Sequence, residues 1–222
     1  MRDQYVDTHI VDSSVVFTGA VWDVVEQRFV LPGTDTTLTR QVMRHPGAVA
    51  VVALDDDNRV MLMQQYRHPL RVIEWEVPAG LLDHAGEEPH EAAARELREE
   101  VDLSAKTWNV LADQLTSPGG SSEALRIYLA RDVTTHPASE RTAEEAQIKP
   151  HWVSLNDAVH AVMAGHITNS TACLGILHAA RHAETGFTNL RPIDDPWPAR
   201  DHLLNGLSLI HISEPTRLLS IS

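Results

Sequence analysis

Short apolar runs separated by polar turns dominate the first third of the chain. Val15-Val16-Phe17, Ala20-Val21-Trp22, Arg28-Phe29-Val30 and Thr36-Thr37-Leu38 read as β-segments, with Pro32-Gly33 as a turn signal. They predict a small antiparallel sheet ahead of the main domain. Residues 48–54 form the longest apolar stretch and read as a buried strand. A second strand over 60–65 follows across the polar hairpin-type turn Asp55-Asp56-Asp57-Asn58. A third, over 72–77, runs into the break Pro78-Ala79-Gly80.

From Glu88 to Val101 the period becomes helical. Ala93, Leu97 and Val101 recur every four residues and face a core. Pro89 suits the first turn, and Glu87, Glu88 and Glu91 place negative charge at the positive end of the helix dipole. Strands are expected over 108–111 and 125–130, and helices over 156–164 and 171–184. This alternation predicts an α/β fold, an α+β sandwich. No internal repeat is present.

Composition narrows the class. Of 222 residues, 43% are hydrophobic and 22% charged, which supports a folded core rather than disorder. No run approaches the roughly 18 apolar residues of a membrane span. Met1-Arg2-Asp3-Gln4 opens no signal-peptide core. A single cysteine, Cys173, excludes an internal disulfide framework and points to a reducing cytoplasm. The net charge of −13 argues against nonspecific nucleic-acid binding. It leaves room for a small phosphate-bearing substrate, provided that a metal ion mediates between like charges.

The candidate for that role is Arg95-Glu96-Leu97-Arg98-Glu99-Glu100. On a helix Glu96 and Glu100 share a face and Glu99 lies beside them. Such like charges repel unless a cation sits among them. Oxygen donors without His or Cys suit hard divalent ions and not zinc. A solvated acidic helix face is the plain alternative, and the surrounding spacing decides between them. Six residues separate Gly80 from Glu87, and seven separate Glu87 from Arg95.

This pattern, through Val101-Asp102-Leu103, closely resembles the Nudix box. The loop between Gly80 and Glu87 is one residue longer than usual, with Gly86 positioned to absorb the insertion. Asp102 stands where the family prefers Gly, at an expected cost near ~1 kcal/mol in the helix cap. The resemblance implies a Nudix fold, a mixed sheet between helices, preceded by the small antiparallel sheet. It implies Mg²⁺, or Mn²⁺, held by Glu96, Glu99 and Glu100 and by the Ala79 backbone carbonyl. Gly80 and the Glu87–Arg95 pair would support the box.

Flanking motifs are similar to the ADP-ribose pyrophosphatase branch of that family, most closely its actinobacterial type, over roughly residues 10–195. They are Gln65-Tyr66-Arg67-His68, Glu74-Trp75-Glu76-Val77-Pro78-Ala79-Gly80, and Pro118 fifteen positions beyond Leu103. Pro118 and Gly119 would border the substrate, although a Pro-Gly-Gly run makes a plain turn equally well. Arg67 and Arg40 are candidates for phosphate or ribose contacts, or else for intrachain or surface ion pairs. Trp22 would stack on adenine or pack within its strand. In such enzymes the N-terminal sheet pairs two subunits, implying a homodimer. A loop glutamate takes the proton from the attacking water, and Glu145 aligns best, with Glu144 in reserve.

The implied reaction is hydrolysis of ADP-ribose to AMP and ribose 5-phosphate. The alternatives are another nucleoside diphosphate derivative, such as a nucleotide sugar, NADH or a dinucleoside polyphosphate, and a non-catalytic module that senses ADP-ribose. The organisation expected is an N-terminal β subdomain over 1–43 (dimerisation and substrate contacts), a Nudix domain over 44–190 and a C-terminal tail over 191–206. Residues 207–222 resemble a translated sequencing-library adapter and are expected to be non-native. His178 and His182, one helical turn apart, lack the adjacent Glu of a zinc-protease motif and read as a packed or solvated helix face. Asp55-Asp56-Asp57 lacks the ligand spacing of a calcium loop and reads as a turn.

Overall fold

Polar turns cut the N-terminal segment into three strands: β1 (Ile10–Thr18), β2 (Asp23–Val30) and β3 (Thr37–Arg44). The computed structural model describes residues 1–138 and 147–207. The three strands form an antiparallel sheet in the order β1-β2-β3. Ala20-Val21-Trp22, expected as a strand, lies in the turn between β1 and β2 instead. Gly19 N–H donates to the Trp22 carbonyl at 3.1 Å. A Cβ on Gly19 would meet that carbonyl oxygen at 2.4 Å, so the tight turn requires glycine.

The chain divides into two compact units, Met1–Arg44 with the segment from Trp197, and His45–Pro196. In the second, β4 (Ala48–Ala53), β5 (Arg59–Arg67), β6 (Val72–Glu76) and β7 (Ala79–Leu81) lead into helix α1 (Pro89–Val101). Then come β8 (Leu103–Leu115), β9 (Ala124–Thr135), β10 (Lys149–Ser154), α2 (Leu155–Met163) and α3 (Ser170–Ala183). The main sheet has the order β7-β4-β9-β8, with β4 parallel to β9 and the other pairs antiparallel. A second sheet, β10-β5-β6, is antiparallel.

All six residues of β4 are buried because both faces are covered. Ala50 and Val52, with Ile127 and Leu129 of β9, pack towards Ala158 of α2 and Ile176 of α3. Val49 and Val51, with Tyr128, pack towards Ala93 and Leu97 of α1. At Gly175 of α3 an added Cβ would lie 2.7 Å from Val52 Cγ2, so the missing side chain sets the helix-to-sheet distance. The Asp55–Asn58 turn forms as expected: Asp55 Oδ1 accepts from the Asp57 and Arg59 amides at 3.0 and 2.8 Å. Beyond it β4 and β5 share one bridge, Leu54 with Val60, and separate into different sheets.

Two strands escape the periodicity argument. β7 is only three residues long, and β10 mixes Lys149, Pro150 and His151 with Trp152 and Val153. The C-terminal region differs too. The main unit continues past residue 190, since Arg191 bridges to Val110 on β8. The expected tail contains helix α4 (Pro198–Leu207), which opens on a proline. Residues 208–222 lie outside the described residues.

Arg126 fixes the extension. Its side chain is 3% exposed. It forks onto Asp113 at 2.7 and 3.1 Å and donates to the carbonyls of Asp195 and Pro196 at 2.6 and 2.9 Å. Replacing it, as in Arg126→Met, strands two carbonyls and leaves the Asp113 carboxylate to Arg191 alone, and should cost about 3 kcal/mol. Urea unfolding measures this; a loss below about 1 kcal/mol would contradict the arrangement.

The helix cap behaves as its sequence implies. Asp102 sits at φ 57°, ψ 33°, in the left-handed region. An ion pair with Arg98 at 3.5 Å offsets part of the strain. Asp102→Gly should therefore raise stability by less than about 1 kcal/mol, read as a small rise in Tm with turnover unchanged.

Candidate active site

Strand β7 and helix α1 build the site together. Glu88 is the N-cap of α1, and its backbone N–H donates to Glu91 Oε2 at 3.1 Å. Pro89 takes the first helical position. With Ala92, Ala93, Leu97 and Val101 buried, the helix can turn only one flank towards β7. That flank carries Glu96 and Glu100. Gly80 pairs with Val49, and a Cβ placed on it would lie 2.0 Å from Glu96 Cδ. The bare backbone of Gly80 thus forms the cradle in which the Glu96 carboxylate lies.

Glu100 is 5% exposed, an unusual burial for a carboxylate. The Ala79 N–H donates to its Oε2 at 2.8 Å. Burial pushes its carboxyl up to about 8, against the pull of the Ala79 hydrogen bond; Glu96 adds to the rise and Arg67 opposes it. Glu99 is half-exposed. Arg95 organises the group: Nε and Nη2 fork onto Glu87 at 2.9 and 3.0 Å. Its Nη1 lies between Glu96 Oε1 at 2.6 Å and Glu99 Oε2 at 3.2 Å. The Glu87 carboxyl is held below the usual range chiefly by its hydrogen bond from Arg95. Gly86 takes φ +81° in the preceding turn, where the Glu87 amide donates to the His84 carbonyl at 3.2 Å.

The remaining candidates fall in several places. Arg67 spends two of its nitrogens on Glu76, Nε at 2.7 Å and Nη2 at 2.6 Å. Pro118 and Gly119 occupy an exposed turn in which the Gly120 amide donates to the Ser117 carbonyl. That turn leaves the sheet where Leu125 pairs with Ala48, the end at which Gly80 also lies. Arg40 is exposed on β3 and donates to its neighbour's carbonyl, Thr39, at 2.7 Å. Trp22 is 36% exposed, with its ring tilted against Phe17 at 6.3 Å. Both belong to the N-terminal unit. Glu144 and Glu145 lie outside the described residues. Glu76, 3% exposed and clamped to Arg67, escaped sequence reasoning. Its cue was Arg67 and Glu76 on neighbouring strands, which only the β5–β6 pairing makes meaningful.

A family model described as NUDIX domain matches residues 43–170. The chain belongs to the Nudix family. It is 44% identical to an ADP-ribose pyrophosphatase of Mycobacterium tuberculosis over 86% of its own length and 91% of the relative's. It is 32% identical to an ADP-ribose pyrophosphatase of Bacillus subtilis over 72% and 86% of the two chains. Among solved structures, one titled as an ADP compounds hydrolase superposes with TM-score 0.68 at 20% identity, over 84% of this chain and all of the other. That likeness establishes the Nudix fold.

Nudix hydrolases generally use divalent metal ions, and the donor set here fits one. The three glutamates offer only oxygen, and Glu100 is a buried carboxylate whose burial a cation would offset. Among the described residues no three His, Cys, Asp or Glu side chains already converge as a metal site. Arg95 Nη1 bridges Glu96 and Glu99, supplying positive charge between them. Gly80→Ala tests the cradle. The colliding Glu96 carboxyl is the end of a flexible side chain, so the fold should persist with Tm nearly unchanged. If Glu96 serves the metal, turnover should fall about tenfold or more, since its carboxylate is displaced. Unchanged turnover would remove Glu96 from the site.

Proposed function

We propose that this Nudix enzyme is an ADP-ribose pyrophosphatase, hydrolysing the diphosphate of ADP-ribose to AMP and ribose 5-phosphate with Mg²⁺, or Mn²⁺ in its place. The observation that carries the reading is 44% identity to a relative of that name over 91% of the relative's length. The clamped glutamate set on α1 supports it.

Glu96, Glu99 and Glu100, with the Ala79 carbonyl, would hold the ion. When bound, it supplies charge neutralisation at the phosphoryl oxygens and lowers the pKa of water. The chain's residues do the rest. Arg95, fixed by Glu87, orients Glu96. The Ala79 N–H orients Glu100. Arg67, steadied by Glu76, keeps Nη1 for a phosphate or ribose oxygen. Pro118 and Gly119 border the substrate, and Glu145, or Glu144, takes the proton from the attacking water.

We assign a homodimer to the protein. Val15, Val16 and Phe17 of β1 are exposed, apolar area that a second copy would cover. In that dimer Arg40 and Trp22 reach the partner's substrate. The single thiol, Cys173, donates to the Ile167 carbonyl at 3.2 Å, and burial pushes it up, as for an inert cysteine in a reducing cytoplasm. No helix among the described residues is long and apolar enough to cross a membrane.

Incubation with ADP-ribose and Mg²⁺ in ¹⁸O-water should yield AMP and ribose 5-phosphate, with label in one product's phosphate. Glu100→Gln should abolish turnover. Glu145→Gln should depress kcat with metal binding intact, and Glu144→Gln should do so only if the base is misassigned. A nucleotide sugar, NADH or a dinucleoside polyphosphate cleaved a hundredfold better would overturn the substrate. An active-site variant without effect would favour a sensing module. A monomer by light scattering would remove the roles of Arg40 and Trp22.

A further inference from the structure

A cavity of about 440 Å³ opens between the C-terminal half of α3 and the middle of β8. Its lining includes Leu111, Asp113, His178, His182, Asn189 and Arg191. The charged groups there are already matched. Arg191 donates to Asp113 and to Asp195, each at 2.7 Å, and Arg126 also holds Asp113. The two half-buried imidazoles, His178 and His182, take no part in the glutamate site.

Positions i and i+4 on a helix put the two Cβ atoms roughly 5–6 Å apart on one face. That spacing lets two rings reach one ion at the ~2.0–2.1 Å of a zinc–nitrogen bond. Burial, and then the neighbouring His182, lower the pKa of His178, while its hydrogen bond to the Leu111 backbone works the other way. The lowered pKa favours the neutral ring that a metal ligand must be.

We propose that His178 and His182 form a second metal site, a two-imidazole chelate for a borderline divalent transition ion such as Zn²⁺ or Ni²⁺. It is separate from the oxygen-donor site on α1 and differs from it in selectivity, since imidazole favours these ions over Mg²⁺. Water would complete the shell, and Asn189 lines the same cavity. No third His, Cys, Asp or Glu among the described residues joins the pair, so the site is open and exchangeable rather than a closed structural centre. The net charge of −13 favours a cation there.

Zn²⁺ titrated calorimetrically into the full chain, with Mg²⁺ in large excess to hold the glutamate site, tests this. The unsubstituted protein should take up one more equivalent than His178→Ala or His182→Gln. Zn²⁺ should raise its Tm and leave the variants' Tm unmoved. Both variants should keep Mg²⁺-dependent turnover and their far-ultraviolet circular dichroism. Equal uptake by all three proteins, or a Zn²⁺-induced rise in Tm shared by the variants, would overturn the site. Should His178→Ala lose its fold, His182→Gln, which keeps the side-chain bulk at the more distal turn, decides alone.

Discussion

Glu100 is a carboxylate that the fold buries and then binds with a single backbone N–H, that of Ala79. Much of the main unit is arranged around that contact. It ties the last turn of α1 to β7, a strand of three residues whose own pairing to β4 is brief. It also places Glu96 over Gly80, where any side chain would collide. Burying an acid without a full counter-charge is unfavourable. The protein accepts that cost where a divalent cation would relieve it, as expected for a site poised for catalysis.

A second set of charges keeps this arrangement in register. Glu87 and Arg95 form a two-point fork across the loop that precedes α1, fixing where the helix starts relative to the glutamates it carries. Arg67 and Glu76 form another across β5 and β6. Forked pairs specify direction as well as distance, which a lysine could not do. The apolar work is done elsewhere, by β4 packed on both faces and by Gly175, which lets α3 approach the sheet.

The Nudix assignment and the two-histidine cavity illustrate different relations between motif and space. The glutamates lie close together in sequence on one helix, and the resemblance of their spacing to the Nudix box singled them out. His178 and His182 carried no such motif. Their interest arises from what the fold sets opposite them: a bulged stretch of β8, the Leu111 backbone and the segment around Asn189.

By itself the sequence determined the α/β class, the buried strand at β4 and the three main helices, because each rests on local periodicity, and the Nudix box marked the family. Even the left-handed cap at Asp102 followed from a residue's place after a helix. It did not determine β7 or β10, which are short or polar and exist only because a neighbouring strand pairs with them. Nor did it reveal the buried Glu76–Arg67 fork, helix α4 or the anchoring of the 191–196 segment by Arg126. Those depend on residues far apart in the chain meeting in space. Only the tertiary structure could decide them, since hydrogen bonding and burial between distant segments leave no periodic trace.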